Sequence, residues 1–451
     1  MKIKKNRLFS IILFFIILSA IIVHIRLKHY PKNSSKSYYY DFNQTKAKFY
    51  NMKIKQNNII ILPKNKIPLN STVFLEVNVS SNIIGKIIEP SITINNLSTY
   101  FEPNSKGIRY INITSLKDES ILKITTNRMK IDKKIKLIIF KNISLNNKKI
   151  LIIAPHPDDA EISSFGLYST YSKNTFILTI TAGDAGSNNY HEVYQNDIDS
   201  SYFEKAKLRI INSNTVPLIG GVDINNTLNL GYFDSKLKLM YYNKNKNIPS
   251  KYTHLISTSK YRRFNISPYL KTLNTTKSNW YSLVKDLKTI LIKFKPNIII
   301  TVYPKIDAHP DHKYSSIALF EAIQDLKMKN IKLFLYTNHF IYSELYPFGP
   351  RFSSMTLPPL YKQKLVFDSI YSFTLTKNKQ REKILALEAM NDLRLNTEWT
   401  SIKGSFKWSF ENLIKYKILH KSKTYFERSV KRDEIFFVID SNKIKYILKG
   451  F

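Results

Sequence analysis

The hydrophobic pattern changes period twice along this chain. Behind a basic tip of Lys2, Lys4, Lys5 and Arg7 runs an apolar stretch from Leu8 to Val23, broken only by Ser10 and Ser19. With Ile25 and Leu27 added it nears the roughly 20 residues of a spanning helix. It ends in Val23-His24-Ile25-Arg26 without a small-residue exit pattern, so it predicts an uncleaved transmembrane signal anchor over residues 1–29 and not a removed leader. Basic residues on both sides, with more before the segment, point the N-terminus to the cytoplasm. This predicts a single-pass membrane protein whose bulk lies on the extracytoplasmic side.

Residues 30–46 are polar and Tyr-rich, as in a linker. From 47 to 146 the period is two. Val73, Leu75, Val77 and Val79 alternate on one face, and Ile92–Ile94, Ile108–Ile113, Ile121–Ile124 and Ile135–Phe140 repeat short strand patterns between turn residues. That spacing predicts a small β-sandwich-like domain, a carbohydrate-binding or a spacer module. Tyr100, Phe101 and Tyr110 within it either face a ligand or fill its core.

From 147 to 400 strands alternate with helices. Ile150–Ala154, Phe176–Thr181, Ile298–Val302 and Ile331–Tyr336 are continuous apolar or β-branched runs, as in strands covered on both faces. Glu161–Tyr171, Trp280–Phe294, Tyr314–Met328 and Lys377–Arg394 carry helical patterns, and Tyr241–Ser278 reads as a polar loop that could rim a pocket. The fold class predicted is α/β, a Rossmann-like three-layer domain with a mostly parallel sheet. Residues 401–451 form a C-terminal extension; the aromatic-rich tail with Trp399, Trp408 and Phe436–Ile439 either adds edge strands or closes the pocket.

A formal charge of +37 raises the question of nucleic acid. The cations are spread along a chain rich in Lys, Asn and Ile, not gathered on one motif, so no nucleic-acid partner is expected. The absence of cysteine excludes disulfides, thiolate zinc sites and thiol nucleophiles.

Two motifs carry the chemistry. Pro155-His156-Pro157-Asp158-Asp159-Ala160-Glu161 directly follows one apolar run, and His309-Pro310-Asp311-His312 follows another. Taken alone, each fits a capped helix start. Together they place imidazoles and carboxylates just past two buried strands, where open α/β sheets bind ligands. Catalytic zinc takes three His or Asp/Glu ligands and keeps a position for water. His156 and Asp159 supply two, a histidine of the second motif supplies the third, and Asp158 is the spare carboxylate that a general base requires. Asp311 is either a partner that fixes a histidine tautomer or a solvated loop carboxylate.

Four blocks in order, Ala154-Pro-His-Pro-Asp-Asp-Ala-Glu161, Thr179-Ile-Thr-Ala-Gly-Asp-Ala-Gly186, Asn229-Leu-Gly-Tyr-Phe-Asp234 and Asp307-Ala-His-Pro-Asp-His312, resemble the LmbE/PIG-L family of zinc-dependent N-acetylglucosaminyl deacetylases. The resemblance implies His156, Asp159 and His312 as ligands of Zn2+ or another divalent metal, Asp158 as general base, and a protonated His309 that stabilises the tetrahedral intermediate or protonates the leaving amine. It implies Asp234 as a contact to sugar hydroxyls; Asp184 is either a further substrate contact or part of the turn chemistry of its Gly-Asp-Ala-Gly loop. The substrate implied is an N-acetylated sugar within a glycolipid or polysaccharide. The alternatives are another small amide or acyl substrate at the same site, or a non-catalytic carbohydrate-binding membrane protein. Two departures stand out: Ser163-Ser164-Phe165-Gly166 replaces the usual Gly-Gly pair, and residues 187–201 contain no arginine to grip substrate.

Overall fold

The computed structural model describes residues 2–188, 194, 197–393, 409, 410, 413, 428–449 and 451, side chains of 2–11, 15 and 16 excepted. Trp399 and Trp408 lie outside the described residues. The N-terminal apolar run forms helix α1 (Lys2–Leu27). Among the described residues no helix is long and apolar enough to cross a membrane, so the anchor expected over 1–29 is not supported.

The alternating region folds into eight antiparallel strands: β1 (Lys48–Lys53), β2 (Ile59–Ile61), β3 (Ser71–Ser81), β4 (Ser91–Ile94), β5 (Leu97–Tyr100), β6 (Lys106–Asn112), β7 (Ile121–Asn127) and β8 (Met129–Lys141). They make two four-stranded sheets, ordered β1-β8-β3-β6 and β2-β7-β4-β5. Val73, Leu75 and Val77 of β3 enter a common core with Ile92, Ile94, Leu122 and Leu137, because alternate side chains of a strand share a face. The opposite face of β3 is also covered: Phe74 packs with Tyr110, Phe140 and Phe437 of the next unit. Phe101 and Tyr110 are buried, which makes them core and not ligand platforms.

The second unit is built on a seven-stranded sheet of β9 (Ile150–Ala154), β10 (Thr175–Thr181), β11 (Thr227–Tyr232), β12 (Ile298–Val302), β13 (Lys332–Tyr336), β14 (Ser369–Thr374) and β15 (Asp433–Asp440), ordered β11-β10-β9-β12-β13-β15-β14. The first five in that order pair in parallel, and β15 runs antiparallel between β13 and β14. The segment expected at an edge is therefore interior, which agrees with its continuous burial from Asp433 to Ile439.

Both faces of this sheet are covered, as its unbroken apolar runs require. Leu151 and Ile153 of β9 face α6 (Trp280–Phe294) and α7 (Pro310–Asp325), whereas Ile150, Ile152 and Ala154 face α2 (Asp159–Thr170) and α8 (Lys377–Ala389). On α6 the spacing of Leu283, Leu287, Ile290 and Leu291 puts all four on the inner side at 1% exposure or less, worth about 1.5–3 kcal/mol each. The chain builds outward from β9 to β11 on one side and then resumes at β12 on the other. The sheet thus has a topological switch point between β9 and β12, and both motifs sit at the carboxyl ends of those two strands.

Candidate active site

His156 follows β9, and Asp158 and Asp159 open α2. Asp158 occupies the cap position of α2, yet its side chain makes no capping hydrogen bond, so that carboxylate is free for other work. His309 caps α7, with Pro310 in its first turn and His312 one turn in. The crossing of these two helix starts brings three donor atoms together: His156 Nδ1 lies 3.1 Å from His312 Nε2 and 3.3 Å from Asp159 Oδ2, and His312 Nε2 lies 3.1 Å from Asp159 Oδ2.

A triangle of that size matches a divalent cation. Ligands about 2.0–2.1 Å from a tetrahedral ion stand about 3.3–3.4 Å apart. The donor set is two imidazoles and a carboxylate, and the surroundings are strongly anionic. Asp158, Asp159, Asp234, Asp307 and Asp311 crowd the site, with Arg209 as their guanidinium counter-charge. Burial disfavours a charged His312, but Asp159 and Asp307 outweigh it and raise its pKa to about 10, which marks the site as one that favours positive charge. Two wider groupings also converge, His156 with His309 and His312, and His156 with Asp234 and Asp311, within 4.8 Å. The 3.1–3.3 Å triangle is the tightest.

Each corner is held from behind. Asp159 Oδ1 accepts from the Asn338 side chain at 2.6 Å, and Oδ2 accepts the His156 N–H at 2.9 Å. His312 Nδ1 faces Asp307 Oδ1 at 3.2 Å, the carboxylate–histidine arrangement that orients metal-binding imidazoles. Asp307 is fixed in turn by the backbone N–H groups of His309, Asn338 and His339. Burial pushes Asp159 up, but His312 and His156 hold it well below the usual carboxylate range.

The remaining residues fall into place around this triangle. Asp234 Oδ1 is 3.3 Å and Asp311 Oδ2 3.5 Å from His156 Nε2. Asp311 is wholly buried and accepts from the N–H groups of Ser235 and Leu237 at 2.5 and 3.1 Å. It therefore pins the segment after Asp234 and faces His156, not the histidines beside it in sequence. Asp184 is buried behind Asp234: it accepts the Asp234 N–H at 2.7 Å and the Ser250 hydroxyl at 2.6 Å, and burial raises its pKa to about 6. The Tyr241–Ser278 segment thus supports the site from behind through Ser250 and Tyr261.

His309 Nδ1 accepts the Asp311 N–H at 3.2 Å, which leaves Nε2 as the ring nitrogen able to donate. Burial and the nearby His156 and His312 push its pKa down to about 3.

Arg209, on α3 (Ile198–Thr215), escapes a reading by motif. Its guanidinium lies 3.4 Å from Asp158, 3.3 Å from Asp392 and 4.0 Å from Asp234. It approaches the backbone of Gly183, where φ is +71° and a Cβ would stand 2.6 Å from Nη1; a glycine is needed there on both counts.

Residues 151–323 match the family described as PIG-L: GlcNAc-PI de-N-acetylase. This part of the chain is a PIG-L domain. The family is one of metal-dependent deacetylases, enzymes that hydrolyse an amide. No curated protein matches the chain in sequence. Solved structures similar to it include N,N'-diacetylchitobiose deacetylase from Pyrococcus horikoshii, at 16% identity over 66% of this chain and 86% of that one with a TM-score of 0.35. Teicoplanin deacetylase Orf2 in a zinc-inhibited form is 13% identical over 64% of this chain and 98% of that one, with a TM-score of 0.34. The 4-carboxy-2-hydroxymuconate hydratase GalB of Pseudomonas putida KT2440 is 10% identical over 65% and 96%, with a TM-score of 0.35. The PIG-L match spans both motifs and the whole of α3, hence Arg209 as well.

Proposed function

We propose that the PIG-L domain removes the acetyl group from an N-acetylated amino sugar of a glycolipid or polysaccharide, with His156, Asp159 and His312 holding Zn2+. The observation that carries this reading is the 3.1–3.3 Å triangle of donor atoms with the uncapped Asp158 carboxylate beside it. A divalent ion bound there supplies Lewis acidity, lowering the pKa of water and drawing charge from an amide carbonyl.

The residues divide the remaining work. Asp158 takes a proton from water as the oxygen adds to the acetamide carbon. The oxyanion that forms is met by the neutral His309 through Nε2–H, and a preorganised donor of this kind is worth about 3–4 kcal/mol when deleted. The protonated Asp158 then passes its proton to the departing nitrogen, so the C–N bond breaks to give a free amine and acetic acid, which loses its remaining proton to solvent as acetate. A neutral His309 has no second proton to give, which leaves this step to Asp158. Arg209 favours the ionised form of Asp158 against its burial, and Asp234 accepts from a sugar hydroxyl.

The test is acetate release from N-acetylglucosamine-containing oligosaccharides and glycolipids by the full-length protein. Release should stop with a chelator and return with zinc. Activity that persists in thoroughly chelated protein would sink the proposal.

A further inference from the structure

A second cleft, of about 530 Å3, opens between the β-module and the α/β unit, where the β4–β5 turn and Leu116 face Phe352, Arg432 and the first turns of α8. None of its lining residues belongs to the histidine–carboxylate cluster. Its volume falls within the roughly 300–1,000 Å3 typical of small-molecule sites.

Two features of its lining act together. The first is Phe352, 49% exposed with φ at +67°, a conformation rarely adopted by bulky side chains and kept only where the surroundings impose it. Here they do. Its N–H bonds the Val430 carbonyl at 2.8 Å, and the buried Lys431 ammonium gathers the carbonyls of Phe348, Gly349 and Pro350 at 2.8–2.9 Å. The loop is thus built to hold an aromatic ring out over the cleft.

The second is charge: Lys377, Arg381 and Arg432 line the cleft, with no acidic side chain among its described lining residues. An aromatic face and a cationic rim correspond to the apolar ring face and the anionic group of an acidic sugar.

We infer that this cleft binds saccharides bearing a carboxylate or sulfate, apart from the deacetylation centre and independently of the activity proposed for it. The test measures binding of tetragalacturonate and of a κ-carrageenan tetrasaccharide to the full-length protein by calorimetry; neither carries an acetamide. Cellotetraose serves as the neutral control and sodium sulfate as the anion control. At least one acidic tetrasaccharide should bind, and the two together show which anion is preferred.

Phe352→Gly removes the ring while relieving the positive φ, so the fold is retained, and it should weaken binding tenfold or more. Lys377→Ser with Arg381→Ser should do the same, whereas Asp158→Asn should change nothing. The inference is overturned if neither acidic tetrasaccharide binds, if cellotetraose binds as tightly, if equimolar sulfate displaces the sugar, or if both cleft variants bind like the parent.

Discussion

Arg209 Nη2 stands 3.4 Å from the Asp158 carboxylate, and the two are the only pair that ties α3 to the start of α2 through opposite charges among the described residues. Burial raises the pKa of Asp158 above the usual carboxylate value, and the Arg209 guanidinium opposes that only in part. Arg209 spans Asp158, Asp234 and Asp392 with a planar fork that a lysine cannot reproduce.

Arg209→Gln is therefore expected to lower turnover by about 10- to 100-fold, from about 1–3 kcal/mol lost with a charge-assisted contact. Bound metal should be unchanged, since Arg209 touches none of the three triangle atoms. Gly183→Ala should produce the same loss by displacing the guanidinium. Parallel kinetics and metal analysis check both, and a variant that loses metal in step with activity would contradict the separation.

Asp158→Asn should keep the metal and lose turnover by at least about 100-fold, the scale of a missing general base. His156→Ala should lose both, because it removes one corner of the donor triangle. Elemental analysis of the two purified variants decides this: full metal occupancy in His156→Ala would contradict the assignment of that histidine.

Asp307→Ala should weaken metal affinity by about 10- to 100-fold, the usual effect of removing the carboxylate behind a ligating histidine. Asp307 contacts His312 Nδ1 and three backbone N–H groups of the adjoining loops. Chelator competition on the parent and Asp307→Asn separates the two roles, since the amide keeps an acceptor but not the charge. Equal affinities in all three proteins would remove Asp307 from the site.

What could be read from the sequence follows from where polarity and period coincide. The strands β9, β10, β12 and β13 are visible because their apolar runs are unbroken, and the two motifs because each follows such a run. Arg209 was not legible for a physical reason: the buried face of α3 mixes Tyr202, Ala206 and Ile210 with Ser201, Lys205, Arg209, Ser213 and Asn214, so polar residues interrupt the apolar period there. The ammonium of Lys205 is spent on the Ala185 and Ser187 carbonyls, contacts that only the fold creates. The β15 segment looked like an edge strand because nothing local states that a strand from the chain's end will be inserted between two others.

Asp433 offers a test of pH-dependent stability away from the catalytic centre. It is 1% exposed and its carboxyl is pushed up to about 6 by burial, with the Thr374 and Ser354 hydroxyls at 3.0 and 3.1 Å pulling only partly the other way. In the unfolded chain the same group titrates near about 3.9. The folded protein thus binds this proton more tightly, and the associated stability is complete below about pH 4 and lost as the pH rises through about 6. A shift of about two units corresponds to on the order of 2–3 kcal/mol. Asp433→Asn, which cannot ionise, should gain stability relative to the parent by about that amount between pH 4 and 7. Urea midpoints of the two proteins at pH 4.5, 5.5 and 7 measure it, and because other carboxylates titrate alike in both, the gap between the midpoints isolates this residue. A gap that stays constant across the series would mean that Asp433 is ionised throughout, with its burial compensated by the hydroxyls alone.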